Sequence, residues 1–270
     1  MKVGIWNDQQ IPFHCKRAWA VALQILRDAK LDLLIYNGDF GDFRTLTTRY
    51  PLRYDKSLII AEMSEELERL RTCLAESQKV IKPKKSRWND GNHEFRIPRS
   101  FWNSPHGSQL LGIPEIRHAT SIPQLLDFDK WHIKYSGEYP AGTWILGTQD
   151  AGDVYVTHGT ISSKNAGQTA NRALADMMCN VVVGHCERRA ITFKHAVGNR
   201  EYFAIENGNL SLFSTIAGSD ILTNYPFNKP DVMNKQQGIC ILTLDDGQWW
   251  PELIKIKDGR GFWRGRLYKD

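Results

Sequence analysis

No apolar run in this 270-residue chain approaches the roughly 18 residues that a membrane-spanning helix needs. The opening residues Met1-Lys2-Val3-Gly4-Ile5-Trp6 lack the apolar core of a secretory signal, so a cytoplasmic protein with no membrane partner is the expectation. The five cysteines, at 15, 73, 179, 186 and 240, make no C-x-x-C pair. That spacing argues against a thiolate zinc site or a disulfide framework and for reduced thiols. The H-E-x-x-H zinc helix is absent, since position 97 is Ile, and so are the G-x-S-x-G nucleophile elbow and the GxxxxGK[ST] phosphate loop. Neither sign of charge dominates: 35 Lys and Arg against 30 Asp and Glu leave +5. That balance suits an anionic substrate but is not the footprint of a dedicated nucleic-acid binder. There is no internal repeat, no low-complexity tract and no linker-like stretch, so a single domain over residues 1–270 is expected.

What the chain does have is a series of strand ends that carry metal-type side chains. Lys2 to Trp6 reads as a buried strand running into Asn7-Asp8. In sheets covered by helices that end is where ligands gather, so Asp8 is a candidate ligand, with a helix-cap or turn aspartate as the plain alternative. Ala18 to Lys30 has helical apolar spacing and a basic end. Leu31 to Tyr36 is a second strand, and it runs into Asn37-Gly38-Asp39-Phe40-Gly41-Asp42. Strand, helix, strand form a βαβ unit, which brings Asp8 and Asp39 close together. Two such carboxylates repel unless a divalent cation sits between them or they share a proton. Asp42 suits a hydrogen-bonding role in its loop better than a ligand role. Arg44, Arg49 and Arg53 follow in a polar loop where they could meet a substrate, solvated charge being the default. Leu58 to Val80 is a long amphipathic helix.

The centre of the sequence is Arg87-Trp88-Asn89-Asp90-Gly91-Asn92-His93-Glu94-Phe95-Arg96. It reads as a strand end, a Gly-marked turn, and Asn-His-Glu opening a helix. Asn92 offers a neutral oxygen that suits a hard divalent ion. His93 can ligate, donate a proton, or bond a phosphoryl oxygen. Between 96 and 130 lie Pro98, Pro105, Pro114 and Pro123, so short helices and loops are expected there, capping the site. His106, His118 and His132 have no motif around them and read as surface or packing residues. From Trp131 the chain turns to strands, Trp131 to Tyr135, Trp144 to Gly147 and Val154 to Val156, the last entering Thr157-His158-Gly159. Ser162 to Met178 reads as a helix capped by Ser162 or Ser163, with Lys164 and Asn165 placed to bind phosphate at its start. Asn180 to Val183 is a strand that ends in Gly184-His185-Cys186-Glu187-Arg188-Arg189. The tail alternates in strand fashion and is expected to complete a second, mostly antiparallel sheet.

Asp8, Asp39, Asn92, His93, His158 and His185 thus stand one after another at strand ends. Oxygen donors with imidazoles suit Mn, Fe, Zn or Mg rather than thiolate-loving metals. Asp8-Gln9-Gln10, Gly38-Asp39-Phe40-Gly41-Asp42, Gly91-Asn92-His93-Glu94, His158-Gly159 and Gly184-His185-Cys186-Glu187, in that order, resemble the calcineurin-like metallophosphoesterase superfamily, in a virus-borne or bacterial subgroup of undefined substrate. The resemblance implies an α/β sandwich of two mixed sheets with helices on both outer faces. It implies a metal-dependent phosphoesterase that activates water, with a phosphodiester of a nucleotide or nucleic acid favoured. A phosphomonoesterase or protein phosphatase is an alternative, as is a catalytically impaired nucleic-acid- or protein-binding relative. By position, Asp39 would bridge two ions. Asn92, His158 and His185 would complete one shell, and Asp8, Gln10 and Glu187 the other. His93 would act on the scissile phosphate or leaving oxygen, and Glu94 would orient His93 or cap the helix. Arg44, Arg96 and Lys164 would approach the substrate. Gln10 and Glu187 depart from the family pattern, which has His at both positions. The change moves that half of the site from nitrogen to oxygen donors and favours Mn²⁺, with Mg²⁺ next and Zn²⁺ or Fe less suited. His14 could replace Gln10 as a donor, although a neighbouring loop role suits it better.

Overall fold

The computed structural model describes residues 1–46, 56–196, 200–212 and 235–270; Arg49 and Arg53 lie outside the described residues. The chain opens with β1 (Lys2–Trp6), α1 (Lys16–Ala29), β2 (Leu33–Asn37), α2 (Lys56–Ile81) and β3 (Ser86–Asn89). Five short helices follow: α3 (Arg96–Trp102), α4 (Pro105–Leu111), α5 (Pro114–Ala119), α6 (Ile122–Leu125) and α7 (Phe128–Trp131). Then come β4 (Ile133–Tyr135), β5 (Gly142–Ile145), β6 (Val154–Thr157), α8 (Gln168–Met177), β7 (Asn180–Val183), β8 (Arg189–Ala196) and β9 (Arg200–Asn207). The tail is β10 (Gly238–Asp245), β11 (Gln248–Lys257), β12 (Arg260–Trp263) and β13 (Arg266–Lys269).

These strands form two mixed sheets. The larger has eight strands in the order β13-β12-β11-β10-β1-β2-β3-β4, and the smaller five in the order β5-β6-β7-β9-β8. β1 to β4 are mutually parallel, and β10 pairs antiparallel with the free side of β1. In the smaller sheet β6, β7 and β9 are parallel. The period-2 alternation sorts the side chains. Val3, Ile5, Leu33 and Ile35 face Val154, Val156, Val182 and Ile205 across the seam between the sheets. The alternate residues Trp6, Leu34, Tyr36 and Trp88 face outward, where Trp19 of α1 stacks on Trp6 at 4.8 Å. Trp6, Tyr36 and Trp88 are no more than 1% exposed. Each contributes about 2–3 kcal/mol of burial on transfer-area grounds. α8 covers the other outer face with Ala170 and Leu174 on Val181, Val183 and Ala204.

Several expectations change. The tail does not build the second sheet: only β8 and β9 join it, and β10 to β13 extend the first sheet past β1. β12 and β13 form a hairpin, because Arg264 and Gly265 both take positive φ and turn the chain between Trp263 and Arg266. Trp131 ends α7 instead of starting a strand. α8 begins at Gln168, not Ser162. Gly167, with φ 88°, is its N-cap, and the Glu206 carboxylate accepts the backbone N–H of Gly167 and Ala170. An internal anion therefore already takes the place proposed for phosphate at the helix start, and Lys164 and Asn165 lie in the exposed loop before it.

Candidate metal centre

Every element that carries a candidate ligand delivers it at the same rim. Asp8 follows β1, Asp39 follows β2, Asn92 and His93 follow β3, His158 follows β6, and His185 follows β7. The parallel register of β1 on β2 carries through the loops, where Asp8 donates its N–H to Gly38 O at 3.0 Å and Gln10 to Asp39 O at 2.9 Å. The backbone is strained there. Asp8, Gln10, Asp39, His185 and Glu187 all take positive φ, between 52° and 61°. Non-glycine residues hold this region at a cost of about 1–2 kcal/mol each, and such strain clusters where a site fixes it. Two glycines are required by close approach. A Cβ on Gly38, whose φ is 82°, would lie 2.6 Å from His158 Nδ1, and one on Gly91 would lie 2.2 Å from Asp39 Oδ1.

Buried asparagines stitch the sheets together at this rim. Asn37 and Asn89, from the larger sheet, donate to the carbonyls of Thr157 and Val156 in the smaller. Asn7 donates to Gly208 O, and Asn207 of the smaller sheet donates to Ile5 O and Asn7 Oδ1. The sequence held a signal for this, an Asn at the end of each of β1, β2, β3 and β9, that the reading of ligands passed over.

The first donor group is complete. The ligand atoms of Asp39, His158 and His185 lie within 4.8 Å of one another. His158 Nδ1 donates to Asn37 O at 2.9 Å, which turns Nε2 toward Asn92 Oδ1 at 3.2 Å and Asp39 Oδ2 at 3.3 Å. His158 is 0% and Asp39 2% exposed. Burial alone would depress the His158 imidazole, but Asp39 and Asp8 outweigh it and push its pKa up to about 10. Burial would raise the Asp39 carboxyl, but His158 and His93 hold it below the usual carboxylate range. The His158 imidazolium thus supplies the positive charge this carboxylate pair demands. Burial and the neighbouring His158 drive His185 down to about 4, so it stands as a neutral donor. Asp8 rises to about 7 through burial, against the pull of His158 and with repulsion from Asp39 and Glu187. Its Oδ2 accepts from Asn7 and from the His185 N–H, while Oδ1 is buried without a hydrogen-bond partner. Converging carboxylate and imidazole donors at a buried rim fit a divalent cation.

His93 sits against this group. Nδ1 lies 3.2 Å from Asp42 Oδ1, and Nε2 lies 3.5 Å from Asp39 Oδ2. Arg96 donates from Nη2 to His93 Nε2 at 2.9 Å and from Nη1 to Asp42 O at 2.5 Å. Burial would lower the His93 pKa, but Asp39 and Asp42 reverse the direction and raise it. The carboxylate beside His93 Nδ1 is thus that of Asp42, not Glu94. Nor does Glu94 cap a helix: α3 starts only at Arg96, and residues 92–95 form the turn before it. Glu94 is 1% exposed and accepts the backbone N–H of Asp39, Phe40, Gly41 and Gly91, tying the Gly-Asp loop to the Asn-His turn.

The second donor group is arranged differently. Gln10 Nε2 donates to Glu187 Oε1 at 2.9 Å, and Asn209 donates to Glu187 Oε2 at 3.3 Å. The ammonium of Lys235 pairs with the same Oε2. Lys235 carried no motif signal and was missed in the sequence; a glutamate at a histidine position, in need of a cation, was the one available hint.

The other basic candidates sit as follows. Arg44 lies over the Phe13 ring at 4.9 Å, in a cleft with Glu62, Glu65 and Glu66. Arg87 donates to Trp144 O. Arg188 is buried and donates to Cys186 O and Ser162 Oγ. His14 meets the Trp19 ring edge-on in its loop. His106, His118 and His132 are exposed. Of the short helices, α3 reaches toward the site: its Trp102 meets Phe95, Phe95 meets Tyr139, and Tyr139 meets His158. All five cysteines are free thiols. Among the described residues no helix is long and apolar enough to cross a membrane.

Two mixed sheets with helices on their outer faces, and candidate residues gathered at one rim, give the α/β layout expected from the sequence. No family model matches the chain. Two phage proteins are similar to it nearly end to end. The Gene 54 protein of Mycobacterium phage L5 is 23% identical over 276 residues, covering 99% of this chain and 98% of its own. The Gene 54 protein of Mycobacterium phage D29 is 23% identical over 267 residues, covering 96% and 95%. Among solved structures, Vacuolar Protein Sorting 29 from Cryptosporidium parvum aligns at TM-score 0.45 and 12% identity, over 100% of this chain and 98% of that one. Wild-type Vps29 complexed with Zn²⁺ from Entamoeba histolytica aligns at 0.44 and 10%, over 100% and 98%. None of these names states an activity for this chain.

Proposed function

We propose that this protein is a metal-dependent phosphoesterase, and that its substrate is a phosphodiester of a nucleotide or nucleic acid. The observation that carries this reading is the meeting of Asp39, Asn92, His158 and His185 on one point, with His93 held beside them by Asp42. A divalent ion on that point would supply an activated water and charge for the phosphoryl oxygens. Asp39 and the neutral His185 offer lone pairs directly. His158 offers Nε2 once it gives up its proton, its Nδ1 remaining committed to Asn37 O. Asn92 adds a neutral oxygen.

His93 is the catalytic residue of this proposal. Its Nε2 accepts from Arg96; once Arg96 turns to an incoming oxygen, the ring, whose protonated form Asp39 and Asp42 favour, can bond a phosphoryl oxygen or protonate the leaving oxygen through Nε2. Arg96 adds positive charge beside His93 and can turn its N–H groups to the incoming oxygen; Lys164 and Arg44 would meet only an extended substrate. Two oxygen and two imidazole donors make a mixed set, for which Mn²⁺ is the proposed ion.

The test is hydrolysis of a bis-aryl phosphodiester with each metal added to metal-free protein, beside an aryl phosphomonoester, a phosphopeptide and single- and double-stranded DNA. Mn²⁺-dependent diester cleavage that His93→Ala abolishes is the expected result. The second reading, a non-catalytic binding module for nucleic acid or protein, is favoured by one observation, the turning of Gln10 and Glu187 onto each other. Absence of turnover with every divalent metal in well-folded protein would establish it over the first.

A further inference from the structure

The residues that replace the family's two histidines do not point at an ion; they surround a lysine. Glu187 is 8% exposed, so its carboxylate needs a strong partner. Both its oxygens are spent. Oε1 takes the Gln10 amide N–H, and Oε2 takes Asn209 Nδ2 and the Lys235 ammonium. Gln10 is committed as well. Its N–H₂ faces a carboxylate, and turning its carbonyl there instead would set oxygen against oxygen.

Lys235 is not a surface side chain that happens to reach inward. Its neighbour Gln236 donates its backbone N–H to Glu187 O at 2.9 Å, and Asn209 donates its own to Gln236 O at 3.1 Å. Asn209 and Gln237 form a parallel bridge, and Leu210 N donates to Asp8 O. The segment that carries Lys235 is therefore laced to the loops that carry Asp8 and Glu187. The Lys235 side chain is 24% exposed, so it reaches Glu187 from the edge of the rim and is not sealed within it.

The structure assigns Lys235 the charge that a second cation would bring: with Gln10 and Glu187 it forms a protein-built substitute for the second ion, and the centre takes one divalent ion, on Asp39, Asn92, His158 and His185. This rests on the metal-site reading above. It accounts for the two departures together. A histidine at 10 or 187 would present imidazole to a cation, whereas glutamate and an amide donor present what an ammonium and its carboxylate need. A lysine is a point charge on a stem, as suited to a phosphoryl oxygen as to a carboxylate, so it can serve an anionic substrate without a metal's coordination demands.

The experiment counts ions. Metal-free protein is titrated with Mn²⁺, bound metal is measured by elemental analysis, and the electron paramagnetic resonance spectrum is recorded. One ion per chain with the hyperfine pattern of an isolated Mn²⁺ is expected. Two ions with an exchange-coupled spectrum would overturn the lysine substitution and leave the phosphoesterase reading standing. No bound ion would overturn both. Gln10→His with Glu187→His and Lys235→Met is expected to bind a second Mn²⁺ and show coupling, while Lys235→Arg keeps one. A folded triple variant, judged by its melting curve, that still binds one ion would show that these three residues do not exclude the second. Should the triple variant not fold, the wild-type count and spectrum decide alone.

Discussion

Two halves of one rim meet the same problem, a surplus of buried negative charge, in different ways. Around Asp39 the carboxylate, amide and imidazole donors turn toward a common point, and His158, pushed up to about 10, supplies the charge that keeps Asp39 ionised. Around Glu187 the donors turn toward one another and toward Lys235. Both halves hang on strand-end loops with the same left-handed backbone at their key residues. The scaffold therefore does not decide whether a position takes a metal. The side chain at 187 and a partner nearly 50 residues later do.

That contrast can be attacked from several sides. Asp39→Asn should have the largest effect, because it removes the one carboxylate that His93, His158 and the ion share. Mn²⁺ affinity is expected to fall by more than about 100-fold, beyond the 10–100-fold typical of groups that only support a ligand, as calorimetry would show. His93→Ala is expected to cut turnover by about 10²–10⁴ while leaving the bound-metal count unchanged. A loss of metal would instead make His93 a ligand. Glu94→Ala strips the acceptor from four backbone N–H groups. It should cost about 3 kcal/mol or more of stability, read as a lower midpoint in urea.

The pH response should be graded. His158 holds its proton to about 10 in the folded, metal-free protein, against 6.5 for an ordinary imidazole. Folding thus takes up a proton between those values. The stability from the His158 pairing is complete below about 6.5 and is lost as pH rises through about 10. Mn²⁺ must displace the same proton, so its apparent affinity should rise by up to about tenfold per pH unit across that window. The opposite trend in a calorimetric pH series would remove His158 from the ligand set. Asp42→Asn should have the mildest effect, roughly a tenfold loss of turnover with the metal count preserved, as it leaves His93 in place but less well oriented.

The placement of Asp8, Asp39, Asn92, His93, His158 and His185 at one rim was legible because apolar runs mark strands and the polar residue just past each run must lie at the sheet's edge. The sheet membership of the tail was not. Alternation identifies a strand but not its neighbour, and β10 could pair with any open edge; the free side of β1 won. The start of α8 was misplaced because Ser162 and Ser163 are good caps by composition, while the actual cap depends on Glu206, a residue distant in sequence. The roles of Asp42 and Glu94 were crossed for a similar reason. Adjacency in sequence pointed to Glu94 as the partner of His93, but the turn directs Glu94 back at the Gly-Asp loop and leaves His93 facing Asp42.

Asn37, Asn89, Asn7 and Asn207 join the sheets at the rim through directional bonds of 2.6–3.0 Å. Asp39 and Asn92 stand on one sheet and His158 and His185 on the other, so the bite of the centre is gauged by these carboxamides rather than by the oily seam beneath. The ionic radius the protein accepts is then a calibration written in residues that never touch an ion, and lengthening or shortening one of them would retune it without altering a single ligand.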